Sequence, residues 1–250
     1  MLNIIPIPAF QDNYIWLIED GTHAAVVDPG DAVPVIAAVE GRRLKLSSIL
    51  ITHHHADHIG GVEALMREYS LEVFAPAKER YAFDHTPVND GQTIYIEDLN
   101  LTLGVMDVGG HTLDHVAYYG ANSLFCGDTL FGAGCGRLFE GTPAQMYASL
   151  EKIATLPDET AVYCAHEYTE HNLQFAKRVE AHNPDVAARI NSTRTLRSEG
   201  RPSLPSTIGL ERATNPFLRC TSTDIMTHLG LSSASPVEVF TELRARRNLF

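Results

Sequence analysis

The sequence predicts a layered α/β or α+β core of sheets with helices on their outer faces, followed by a smaller helical segment. Three observations carry this. Short apolar runs alternate with turns through the first 168 residues, helical periodicities are interleaved among them, and strand patterns stop after Tyr168.

The strand-like runs are Tyr14–Ile18, Ala24–Asp28, Ser48–Ile51, Leu71–Ala75, Thr93–Ile96, Leu101–Val108, Val116–Tyr119, Leu124–Cys126 and Ala161–Cys164. Helical spacing appears in Val33–Val39, where Val35, Ile36 and Val39 share a face and Gly41 is expected as a stop. It recurs in Val62–Tyr69 and Pro143–Leu156. Beyond Tyr168, Glu170–Ala181 and Pro184–Ser198 read as helices, the second opened by Asn183 and Pro184. A Pro/Ser/Thr-rich loop is expected from Arg201 through Thr207 to Asn215-Pro216. A last helix begins at Ser235-Pro236-Val237-Glu238, which fits a capping box with proline at the first helical position. A boundary near residue 170 gives domains 1–169 and 170–250.

The 250 residues are ordinary in composition, 44% hydrophobic and 20% charged, and long enough for a sizeable core. No apolar run is long enough to span a membrane, and the N-terminus does not read as a signal peptide. The net charge of −12 disfavours nucleic acid as a partner. The charge is uneven: residues 1–170 carry −16 and residues 171–250 carry +4. The basic tail is either a set of solvated arginines or a surface for an anionic ligand. Cys126, Cys135, Cys164 and Cys220 form no C-x-x-C pair, so reduced thiols and a cytoplasmic location are expected.

The main chemical signal is Thr52-His53-His54-His55-Ala56-Asp57-His58, at the end of an apolar strand. Neutral imidazole suits zinc and similar ions, and carboxylate suits a more oxygen-rich position. In an extended stretch His53 and His55 point the same way and can share one ion. Asp57 and His58 lie further on and can serve a neighbouring ion. His54 points away, and His23, His85, His182 and His228 carry no partner pattern. Three further strands end in candidate ligands: Gly109-Gly110-His111, Gly127-Asp128 and Ala165-His166. Each alone is weak, but together with the cluster they indicate a two-metal site that activates water.

THHHADH, GGHT, GDT and AHEYT resemble the metallo-β-lactamase superfamily. The run Gly134-Cys135-Gly136-Arg137-Leu138-Phe139-Glu140-Gly141-Thr142, the HEYT of His166–Thr169, Asn215-Pro216-Phe217-Leu218-Arg219 and the arginine-rich C-terminus resemble glyoxalase II, the hydroxyacylglutathione hydrolases. The resemblance covers essentially the whole chain. It implies a four-layer αββα sandwich with a small C-terminal helical domain. It implies that His53, His55 and His111 hold one metal, that Asp57, His58 and His166 hold the other, and that Asp128 bridges them. Zinc is the expected metal, with iron or manganese compatible with the same ligands. Two departures flank His111: Gly109 stands where proline is usual and Asp114 where glycine is usual. His115 is either a group behind the ligands or an ordinary packed histidine.

The implied reaction is hydrolysis of S-(2-hydroxyacyl)glutathione, with S-D-lactoylglutathione giving glutathione and D-lactate in methylglyoxal detoxification. A metal-bridging water with its pKa lowered towards ~7 supplies the hydroxide, and Asp57 is placed to orient it. The implied glutathione contacts are Arg137 (commonly lysine), Phe139 (often tyrosine, so that a hydroxyl contact is missing), Tyr168, and Arg244 with Arg247, three apart on one helix face. A solvated helix end is the alternative for the last two. A monomer is expected. A mononuclear-iron persulfide dioxygenase is the nearest rival, and a β-lactam hydrolase or an RNA-processing nuclease is further off. A non-catalytic metal-binding protein is the alternative of another class; seven ligands suit an open two-metal site better than a closed structural one.

Overall fold

The computed structural model describes residues 2–77 and 81–250. The chain divides into two compact units, Met1–Asp107 with Asp114–Gly127, and Val108–Leu113 with Asp128–Phe250. The change of texture near residue 170 lies inside the second unit.

The first unit opens with β1 (Asn3–Ala9), β2 (Asn13–Glu19) and β3 (His23–Val27), an antiparallel meander. It continues through α1 (Ala32–Arg42), β4 (Lys45–Leu50), α2 (Ala56–Ile59), α3 (Val62–Glu68), β5 (Glu72–Pro76) and β6 (Thr86–Val88). From β3 to β6 neighbouring strands run parallel, in the spatial order β1-β2-β3-β4-β5-β6. β1 is absent from the sequence-based expectation because Pro6 and Pro8 interrupt its pattern. A strand carrying prolines is tolerated at a sheet edge, where β1 lies. Nor does Gly41 stop α1: Asp31 caps the start by accepting from Val33 N at 2.9 Å, and Arg43 ends the helix in the left-handed region at φ 58°.

One face of this sheet, with Ile15, Leu17, Val26, Ile49, Ile51 and Val73, packs against Val35, Val39, Val62 and Leu65 of α1 and α3. The alternate positions Trp16, Ile18, Val27, Leu50 and Phe74 are equally buried, as expected for a sheet covered on both faces. β7 (Thr93–Ile96), β8 (Leu101–Asp107), β9 (Val116–Gly120) and β10 (Ser123–Gly127) form a second antiparallel meander. Fully buried Tyr118 of β9 donates its hydroxyl hydrogen to the carbonyl of Ile51 at 2.9 Å.

The second unit contains the short hairpin β11 (Leu130–Phe131) and β12 (Gly134–Cys135), then α4 (Pro143–Ala154) and β13 (Ala161–Cys164). It continues with α5 (Thr169–Val179), α6 (Pro184–Ser198), β14 (Ser206–Thr207), α7 (Ile208–Thr214), α8 (Thr223–Leu229) and α9 (Pro236–Asn248). Asn183 caps α6, and the capping box at Ser235 and Glu238 opens α9, both as expected. The loop expected over 201–216 is a correction: β14 pairs with β13, and Thr207 caps α7 by accepting from Leu210 N at 3.2 Å. Neither element has a periodic signature of its own. Fully buried Arg189 and Glu211 hold the region together, paired at 2.5 Å. Glu211 also accepts from Ala133 N at 2.8 Å and from Asn215 Nδ2 at 3.0 Å. Among the described residues no helix is long and apolar enough to cross a membrane.

Candidate active site

The expected ligands fall into two groups, one in each unit. In the first, His53 and His55 follow β4 on extended chain, and Asp57 and His58 lie in α2. The ring centroids of His53 lie 4.7 Å from His55 and 4.0 Å from His58.

Asp28, at the end of β3, orders this group. Its Oδ1 accepts from Thr52 N at 2.7 Å, and its Oδ2 accepts from Thr52 Oγ1 at 2.7 Å and from His58 Nδ1 at 3.0 Å. A carboxylate only accepts, so Nδ1 of His58 carries the hydrogen. The Thr52 hydroxyl has given its hydrogen to Asp28 and can only accept from His53 Nδ1, 3.1 Å away. Both imidazoles therefore have their lone pair on Nε2, the tautomer a metal requires. His58 Nε2 lies 3.6 Å from Asp57 Oδ2, which also accepts from Asn13 Nδ2 at 3.0 Å. A lone pair and a carboxylate oxygen facing one another suit a cation between them. His115 is buried and stacks on His53 with centroids 4.5 Å apart and rings 17° from parallel, so it backs a candidate ligand through its ring face.

In the second unit the group is His111, Asp128 and His166. His111 Nδ1 donates to the carbonyl of Arg137 at 2.7 Å, which leaves the Nε2 lone pair facing Asp128 Oδ2 at 3.4 Å. The other oxygen, Oδ1, lies 3.4 Å from His166 Nε2. One carboxylate thus addresses two imidazoles with separate oxygens, the donor set expected of a bridge. Close backbone approach makes this possible. Gly110 has φ 149°, and a Cβ there would strike the backbone of Met146. A Cβ on Gly136 would collide with the carbonyl of Asp128 and crowd His111 Nδ1. Ser149 Oγ donates to the carbonyl of Gly109 at 2.7 Å, fixing the loop where proline was expected.

Beside this group, within the same unit, an open cavity of about 220 Å³ is lined by Phe131, Cys135, Arg137, Tyr168, Arg244 and Arg247, among others. The Tyr168 ring stacks on His166 at 4.8 Å, nearly parallel, so the cavity begins one ring away from a candidate ligand. Arg244 is only 7% exposed; it donates to the carbonyl of Cys135 at 2.8 Å and stacks over Phe217. This is not a solvated helix end. Arg247 donates to Asn172 Oδ1 at 3.0 Å. Burial, and then the charge of Arg244, lower Arg247 below the ordinary arginine range. Burial pushes the Cys135 thiol up, against the opposing pull of Arg244 and Arg247. Phe139 is 61% exposed, with its ring edge-on to His111 at 5.2 Å and Arg137 over its face.

Asp28, Thr52, Asn13 and Asn172 are the functional residues that sequence reasoning missed. Asp28 had a signal, since it ends a strand run in an acid followed by Pro-Gly, as Asp128 ends one before Thr129. Asn13 and Asn172 had none.

The family model described as the metallo-beta-lactamase superfamily matches residues 10–166, and the model described as the hydroxyacylglutathione hydrolase C-terminus matches residues 167–250. A hydroxyacylglutathione hydrolase from Methylobacillus flagellatus is 56% identical over all of both chains. The crystal structure of the B3 metallo-beta-lactamase BLEG-1 superposes with a TM-score of 0.65 at 28% identity, covering 87% of this chain and 99% of its own. That of ETHE1 from Myxococcus xanthus gives 0.66 at 23% identity, over 100% and 99%, and attests the fold.

Proposed function

The chain belongs to the hydroxyacylglutathione hydrolases of the metallo-beta-lactamase superfamily, and on that premise we propose the substrate, metals and residue roles of its reaction. It has the α+β sandwich fold of that superfamily. It is a thioester hydrolase acting on hydroxyacylglutathione, and its His and Asp clusters bind divalent metal. The acyl group we assign is D-lactoyl, released with glutathione in methylglyoxal breakdown. We divide the chain into a catalytic domain, 1–169, and a substrate-binding domain, 170–250.

Two zinc ions are the assigned metals. His53, His55 and His111 would hold one, Asp57, His58 and His166 the other, and Asp128 would serve both. The donor set fits: four of the imidazoles have a partner within 3.4 Å that selects the lone-pair tautomer or a carboxylate that faces it. When bound, the metals supply activated water and a Lewis acid for the thioester carbonyl. Asp57, its Oδ2 held by Asn13, accepts a hydrogen bond from the attacking water and orients it. The glutathione thiol has a pKa near ~8.5 and leaves as thiolate without a strong general acid. Arg137 and Arg247 meet the carboxylates of the glutathione peptide, Tyr168 its backbone, Phe139 flanks the mouth, and Arg244 shapes the wall behind them. A cytoplasmic monomer completes the reading.

The observation that carries the substrate assignment is the arginine-lined cavity directly beside His111 and His166. A persulfide dioxygenase has less support, since relatives of high identity carry the hydrolase name. Dialysis of the holoprotein against a chelator tests the reading. Hydrolysis of S-D-lactoylglutathione is expected to vanish with the circular dichroism spectrum unchanged, and to return with zinc. Full activity in metal-free protein would overturn it.

A further inference from the structure

The segment that bears the first ligand group is matched, residue by residue, by the segment leading into β9. Val116 N donates to the carbonyl of Thr52 at 2.9 Å. His115 stacks on His53. Asp114 Oδ1 lies 3.3 Å from His54 Nδ1. Residues 116, 115 and 114 thus meet 52, 53 and 54 in antiparallel order. β4 ends at Leu50 and β9 begins at Val116, so one backbone hydrogen bond and two side-chain contacts tie the metal-binding loop to the segment that enters β9. The last two rungs are made by side chains alone.

We propose that Asp114 is a positioning residue that sets the metal-ligand loop by holding His54. Its side chain is 1% exposed, and its Oδ2 has no hydrogen-bond partner among the described residues. A carboxylate is costly to bury without a donor, so this residue is not a surface accident, and the imidazole N–H of His54 is the donor it meets. His54 lies between two ligands on extended chain, where successive side chains alternate in direction. Fixing His54 towards Asp114 therefore fixes the opposite side, to which His53 and His55 project. It also keeps a third imidazole from competing for the metal. Glycine, the residue expected at 114, has no side chain and makes no such rung.

The proposal rests on the metal-centre reading above. Its test follows zinc transfer from the holoprotein to a chromophoric chelator in the wild type, Asp114→Gly, Asp114→Asn, His54→Gln and the double variant His54→Gln/Asp114→Gly. Asp114→Gly and His54→Gln are each expected to speed metal loss roughly tenfold, the scale for residues behind metal ligands. Asp114→Asn, which keeps an acceptor for the imidazole N–H, is expected to stay within about threefold of wild type. The double variant is expected to match the single ones, because the two side chains act as one unit. Unfolding of the metal-free proteins reads global stability separately. Wild-type release rates in both single variants, or additive effects in the double one, overturn the proposal while the metal centre stands. A wild type that takes up no metal overturns both.

Discussion

Asp28→Asn probes the first ligand group most sharply, because the substitution preserves shape while replacing one acceptor oxygen by a donor and removing the charge. Asp28 accepts three hydrogen bonds, from Thr52 N, Thr52 Oγ1 and His58 Nδ1, at 2.7, 2.7 and 3.0 Å. The backbone N–H of Thr52 cannot reverse, so the asparagine carbonyl must face it. The amide NH₂ then occupies the Oδ2 position and confronts the other two groups. The Thr52 hydroxyl can turn round and accept. His58 must present a bare Nδ1, which moves its hydrogen to Nε2 and blocks the metal-binding nitrogen. All three bonds can be remade but none keeps its charge assistance, so the metal-free protein should lose about 1–3 kcal/mol. Metal affinity should fall about 10–100-fold. Urea unfolding of metal-free protein measures the first quantity, and chelator competition the second. Nitrogen NMR of the imidazoles reports the tautomer directly. A zinc dissociation constant within about threefold of wild type, with Nδ1 of His58 still protonated, would refute the assignment of Asp28 as the residue that sets it.

Arg247→Ala should raise KM for S-D-lactoylglutathione about tenfold with kcat nearly unchanged, the signature of lost ground-state binding; an unchanged KM would remove Arg247 from the substrate site. Arg189→Met leaves Glu211 fully buried without its cation and should cost about 3–5 kcal/mol in urea unfolding. A loss under about 1 kcal/mol would show that the donors from Ala133 and Asn215 suffice. Burial pushes Glu180 up, but hydrogen bonds from Arg219, Asn183 and Ser222 outweigh it and hold the carboxyl below its ordinary value of 4.5. Its contribution is therefore present above that pH and lost as pH falls through the lowered folded value. Glu180→Gln should be less stable than wild type at pH 7, and the gap should close below pH 4.5; a gap independent of pH in metal-free protein would contradict this.

Much of the first unit was legible in the sequence, since its strands are apolar runs bounded by turns and its helices have regular spacing. Where the pattern failed, tertiary context explains the failure. β1 carries prolines that only an edge position tolerates. β14 and α7 are held by the buried Arg189–Glu211 pair and by pairing with β13, neither of which leaves a local trace. Gly41 sits inside α1 because Arg43, two residues later, takes up the left-handed conformation that ends it.

The candidate ligands could be named from the sequence because metal chemistry restricts residue type, and strand ends place such residues at loops. Metal-ligand identity is a local property, written in THHHADH, GGHT, GDT and AHEYT. The protonation state of those ligands is not local. It depends on Asp28 for His58, on Thr52 for His53 and on the carbonyl of Arg137 for His111, partners from 1 to 30 residues away. The same holds for the arginines of α9. Their spacing put them on one helix face, but only packing against Cys135, Phe217 and Asn172 turned a basic helix end into a cavity wall. Composition and motif thus determined which chemistry this protein carries. The folded chain decided which nitrogen offers its lone pair and which charges line the cavity, because hydrogen bonds and burial are set by neighbours in space.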